Sequence, residues 1–377
     1  MKIFKNINII DLLILALIII STPLIGTQLK GEQIYSYFQF PVIPKRITVP
    51  TFNWGYFLLL CTITISTVLP FLYKSLKRKA INSKSNKRQK MKWWGYVSAV
   101  CLILSWTLAW NRFEWFSKYQ IHTFILLWFS LIILINALTL KRTGHCMILH
   151  QKLTMFFLFI CSAIFWWYFE YLNTFVNNWY YTMDSHNISI IEYIGKKEYA
   201  FFSTISFSTV LPGVLCLKDY LKSFDCLQSR LTQWQPFKIV HHKSIGSILL
   251  FSGITSLSCI ALVPNLMYPI LWLSPSFSVM GYLIIRKKKS VLNKPMQGDW
   301  SDFLLSALAA LICGFFWELW NFYSEAKWIY QVPYVSRFYI FEMPLIGFAG
   351  YIPFGIECLI LGDFVVDLTK GDQHEKN

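Results

Sequence analysis

Apolar runs about twenty residues long recur along the whole chain, and the polar stretches between them are too short for a sizeable soluble domain. Each run can cross a hydrocarbon core of about 30 Å as a helix. Ten are present, at 7–28, 51–73, 93–111, 122–140, 153–176, 200–217, 245–263, 268–285, 303–323 and 342–366. The pattern predicts an all-α fold, a polytopic transmembrane helical bundle in which residues 1–377 form one integral membrane domain. The first run follows a short basic start, as in a signal peptide. It exceeds the roughly 7–15 apolar residues of such a segment and reads as a retained span.

Polar residues inside these runs are few and patterned. Span five ends in FWWYFEYLNTFVNNWYY and span nine in FFWELWNFYSEAKWIY. Glu170, Asn173 and Asn177 in the first, and Glu318, Asn321 and Glu325 in the second, share the spacing i, i+3, i+7. That spacing draws one stripe along each helix. STVLP recurs at 66–70 and 208–212, and Tyr351-Ile352-Pro353 occupies a comparable place in span ten. Together these suggest a helical hairpin used three times, as spans 1–2, 5–6 and 9–10, in a parallel repeat. Repeats of this kind commonly place a site at their interface.

Span ten, FEMPLIGFAGYIPFGIECLILGDF, holds Gly347, Gly350, Pro353 and Gly355. Proline withholds an N–H from the helical ladder, so an interruption or sharp kink is expected here, with Glu357 beside a cavity. An acidic group at the centre of a span costs roughly +2.5 to +3.5 kcal/mol on an insertion scale. Glu357, Glu318 and Glu170 are therefore the candidate catalytic residues. The plainer alternative is interhelical hydrogen bonding by Glu and Asn.

Composition sharpens this picture. Hydrophobic residues make up 55% and charged residues 14%, and the mean hydropathy is +0.46. The net charge of +16 would suit nucleic acid, but its distribution does not. With the N-terminus cytoplasmic, 26 of the 35 Lys and Arg fall in inner segments, nine of them in the 74–92 loop. This is the positive-inside signature, so a bacterial inner-membrane protein with both termini cytoplasmic is expected. Lipids are the expected partners and nucleic acid is not. The basic 74–92 loop suits anionic headgroups as well.

Aromatic residues reach 18%. Many of the tryptophans lie near predicted outer helix ends, where an interfacial belt accounts for them. Several also flank Glu170 and Glu318, as walls of an apolar pocket would. Asn173, Asn321, Trp167, Trp317, Trp320, Trp328 and Pro353 are the candidate binding residues. The nine cysteines show no CxxC spacing, and no phosphate loop, dinucleotide fingerprint, GxSxG or HExxH occurs. No cofactor, metal site or disulfide framework is expected.

The Trp-rich helix ends, the W-x-Y turns and a following span opened by Glu and Pro resemble the membrane-integral lycopene cyclase domain of bacterial carotenoid pathways. The similarity covers about 165–216 and 315–360. It implies proton-initiated cyclisation of a polyene, with Glu357, which follows a Pro, as the one acid carried over. Those domains carry paired glutamates, and this chain has no Glu-Glu pair. The FEMPLIGFAGYIPFGIEC block is also similar to that of bacterial polytopic membrane proteins without an assigned activity. The reading favoured by the sequence is an aromatic-lined intramembrane pocket that binds or transforms an isoprenoid or lipid. A transporter or channel using the intramembrane acids is one alternative, and a scaffold or assembly factor is another.

Overall fold

The computed structural model describes residues 7–80, 89–186 and 188–374, with side chains as far as 369. The centre of the basic 74–92 loop thus lies outside the described residues. The long helices are α1 (Ile9–Leu29), α2 (Trp54–Lys77), α3 (Trp93–Trp110), α4 (Thr123–Thr143), α5 (Lys152–Val176), α6 (Lys196–Phe207), α7 (Val210–Lys222), α8 (His242–Leu262), α9 (Ser274–Ile285), α10 (Ser301–Phe322) and α11 (Tyr351–His374). Helices α6 and α7 count as one span, so nine helices long and apolar enough to cross a membrane are present among the described residues. The all-α bundle expected from the apolar runs is the fold.

Two spans differ from expectation. The eighth is not continuous: Pro264–Trp272 and α9 meet at a 54° bend. Pro269 and Pro275 flank that break, and each removes a backbone N–H and disfavours helix in the residue before it. Span ten, conversely, is not interrupted. A 3-10 stretch at Leu345–Gly350 runs on into α11 as one span. Pro353 is the third residue of α11, in the first turn, where a missing N–H is tolerated. Gly355 serves close packing: a Cβ there would lie 2.3 Å from the Ser306 carbonyl oxygen of α10.

The bundle alternates in direction, and the connections knit together at each end. At one end Asn53 N donates to Tyr334 O, Ile47 N to Gln331 Oε1, and Arg112 pairs with Glu325 at 2.9 Å. At the other, Lys288 pairs with Asp11 at 2.7 Å, Arg142 donates to Ser223, and Lys289 pairs with Asp367 at 2.6 Å. These are the two sets of connections that the charge distribution separates.

The core lies where α10 packs on α7 and α11, and α5 packs on the same two helices. Trp128, Phe169, Trp320 and Phe354 are fully buried within it. Helix α1 lies on α8 and α9, while α2 buries none of its residues. A small sheet closes one end of the core. Strands β1 (Trp179–Met183), β2 (Ile188–Ser189) and β3 (Ala326–Tyr330) take the order β2-β1-β3. Strand β1 runs antiparallel to β3, with Trp179 opposite Tyr330 and Tyr181 opposite Trp328. Strands β1 and β3 each follow a Glu-x-x-Asn helix end.

Candidate functional site

The two Glu-x-x-Asn ends build the same local structure. At the end of α5, Asn173 Nδ2 donates to Trp179 O at 2.9 Å and its Oδ1 accepts from Asn178 N at 2.7 Å. At the end of α10, Asn321 Nδ2 donates to Trp328 O at 2.8 Å and its Oδ1 accepts from Trp328 N at 2.9 Å. Each asparagine satisfies main-chain groups of the segment that follows its helix and so holds the strand back over that helix. The third members of the predicted stripes leave the pattern. Asn177 ends α5 in the left-handed conformation, and Glu325 lies beyond α10, bonded to Arg112 and Ser185.

One turn before each asparagine sits a fully buried glutamate. Glu170 Oε1 accepts from Trp166 Nε1 at 3.1 Å, Trp179 Nε1 at 3.0 Å and Tyr181 OH at 2.5 Å. An indole can only donate, so this oxygen carries no proton and the tyrosine must donate too. Glu318 Oε1 bonds to Tyr330 OH and Tyr351 OH, both at 2.8 Å, and Trp328 Nε1 donates to Tyr330 OH at 3.0 Å. Burial, with the neighbouring carboxyl, pushes the Tyr181 and Tyr330 hydroxyls well above the ordinary tyrosine range, so both keep their protons. Because i and i+2 share a strand face, Trp179, Tyr181, Trp328 and Tyr330 all face the helices. The antiparallel pairing relates W179-x-Y181 to W328-x-Y330 by a local pseudo-two-fold axis. Oε2 of both glutamates is buried without a hydrogen-bond partner among the described residues.

Beneath the sheet lies a cavity of about 190 Å³. Its wall is built mainly from aromatic side chains, with Trp166, Trp179, Trp272, Trp317, Trp328 and Tyr351 prominent. The two carboxyls stand one layer behind this wall, each reached through side chains that line it. Four polar atoms on the wall are buried without a hydrogen bond among the described residues: His122 Nδ1, Asn178 Oδ1, Tyr199 OH and Tyr268 OH. The His122 ring is stacked on Phe202 at 3.7 Å.

The structure sorts the predicted residues. Trp317 and Trp328 line the cavity, while Glu170, Glu318, Asn173 and Asn321 support its wall. Trp320 is buried behind, packed on Trp128 at 5.4 Å. Trp167 does not line the cavity: it packs behind Phe207, its Nε1 donating to Thr204. Pro353 belongs to the start of α11 and does not line the cavity.

Glu357 also departs from expectation. It is 3% exposed, but it does not line the cavity. It lies beside Ser276, in the first turn of α9, and among the described residues neither of its oxygens makes a hydrogen bond of normal geometry. The break in span eight exposes that helix N-terminus, and a carboxyl faces free N–H groups favourably there.

The sequence reading left out Trp272, Tyr351, Asn178, Tyr199 and His122 as site residues. Trp272 sits at the break in span eight and Tyr351 at the start of α11, so both reach the cavity only through the tertiary fold. Among the described residues no group of three His, Cys, Asp or Glu could hold a metal ion. No model of a known protein family matches the chain, and no curated protein or solved structure matches it.

Proposed function

We propose that this protein binds a lipophilic molecule, an isoprenoid or a lipid, in the aromatic cavity beneath the β1–β3 sheet. The observation that carries the reading is the cavity itself. An apolar space of ~150 Å³ accepts a benzene-sized group, and the cavity, at about 190 Å³, is larger. Small-molecule sites combine such apolar walls with a few placed polar groups, here Asn178, Tyr199 and Tyr268. Lipid extract from the purified protein, analysed by mass spectrometry, should contain one isoprenoid or lipid in stoichiometric amount. Only the bulk lipids of the host membrane, in bulk proportions, would overturn the reading.

The charge distribution supports a bacterial inner-membrane location with both termini cytoplasmic, which puts the sheet and cavity toward the outer leaflet. A second reading, in which the bound molecule is also transformed, is favoured by the Tyr181–Glu170 and Tyr351–Glu318 contacts, since a hydroxyl bonded to a carboxyl can pass a proton. Turnover of the bound molecule, lost in Glu170→Gln with binding retained, would carry it; turnover unchanged in that variant would exclude it. The resemblance to lycopene cyclase domains points instead to Glu357, which stands apart from the cavity wall.

A further inference from the structure

Two fully buried acids, Glu170 and Glu318, stand near the helix ends beneath the sheet, and among the described residues neither has an ion-pair partner. Cations of the adjoining segments are engaged elsewhere: Lys327 bonds Glu342 at 2.7 Å, Arg112 bonds Glu325 at 2.9 Å, and Arg46 lies over the Tyr180 ring. Lys327 lines the cavity, but its ammonium is held by Glu342, Asp184 at 3.4 Å and the Phe322 carbonyl. Glu342 adds further negative charge near Glu318. Buried carboxylates are stable when a counter-charge accompanies them. Each of these has one oxygen with no hydrogen-bond partner among the described residues, and each stands behind a wall of indole and phenol rings. Ring faces attract cations, and aromatic cages are a general means of holding ammonium groups.

We propose that the cavity is selective for a lipophilic ammonium: an amine or quaternary ammonium head seated among Trp166, Trp179, Trp317, Trp328 and Tyr351, its chain leaving toward the lipid. The head supplies the counter-charge that Glu170 and Glu318 lack. This selectivity rests on the reading of the cavity as a lipophile site. A trimethylammonium group is comparable to benzene in size and fits the space.

The test titrates the full-length protein in nanodiscs with dodecyltrimethylammonium and with dodecanol, using protein-free nanodiscs as the blank. The ammonium is expected to bind at least tenfold more tightly than the alcohol. That preference should vanish in the Glu170→Gln, Glu318→Gln double variant, which should still bind dodecanol. Equal affinity for the two probes in the native protein, or an undiminished preference in the double variant, would overturn the proposal and leave the lipophile site standing. Binding of neither probe would remove both. Should the double variant not fold, each single variant is expected to lose part of the preference, and an unchanged preference in both singles overturns the proposal equally.

Discussion

At the residue scale, the site depends on hydrogen bonds that a single atom can remove. Tyr181→Phe keeps the ring but deletes the hydroxyl that donates to Glu170 at 2.5 Å. The carboxyl oxygen keeps its two indole donors, so the loss is that of one hydrogen bond, about 0.5–1.5 kcal/mol. The variant should therefore melt at a lower temperature in detergent, and a melting point equal to that of the parent would show that the carboxyl does not hold the strand. Glu357 supplies the opposite case. Its carboxyl lies beside Ser276 and away from the cavity. Glu357→Gln, close in shape, is expected to leave ligand affinity within about threefold of the parent, an energy difference well under the ~1.4 kcal/mol of a tenfold change. A larger loss would place Glu357 in the site after all. Both glutamates of the repeated helix ends were legible from their Glu-x-x-Asn spacing. Their Trp and Tyr partners, Tyr351 excepted, were visible as neighbours in sequence, but not as hydrogen-bond donors.

At the element scale, helix contacts are set by where side chains are missing. In α8, a Cβ at Gly253 would fall 2.3 Å from Ser278 Oγ and 2.6 Å from Ser278 N of α9. Small residues at such crossings let two helix backbones approach and pack. Gly253→Ala must push α9 away, an overpacking cost of about 1–3 kcal/mol. It should lower thermal stability without altering the sheet. A stability equal to the parent would show that the α8–α9 contact is looser than described. The sheet has its own test. Tyr180 and Ile329 are directly opposed on β1 and β3, a separation within reach of a disulfide. Cysteines at both positions should cross-link under oxidising conditions, whereas unlinked chains in well-folded protein would contradict the pairing. The strands themselves were unreadable beforehand. WYYTM and AKWIY are short aromatic runs at helix ends, and an interfacial belt explains them equally well.

At the scale of the whole molecule, sidedness is the open quantity. The connections gather at two ends of the bundle, and the richer share of Lys and Arg lies with Asp11, Lys288 and Asp302 at one of them. Reporter fusions after Lys92 and Lys289 should report cytoplasmic and one after Lys197 periplasmic. An external signal after Lys92 would invert the arrangement and place the aromatic cavity toward the inner leaflet.

The sequence alone determined the class of the protein and its threading. Apolar length decides what crosses a membrane, and charge bias decides which loops share a side, because both are local properties summed along the chain. It also marked Glu170 and Glu318, since a carboxyl in an apolar run is conspicuous without any knowledge of contacts. The tertiary structure decided the rest. It gave Gly355 and Pro353 ordinary places in an unbroken span, moved the break to span eight, and separated Glu357 from the cavity. It also joined the two helix ends through β1 and β3, with Trp179 set against Tyr330 across 151 positions of sequence. Proline, glycine and aromatic residues each have several local uses, and only packing against distant segments selects among them.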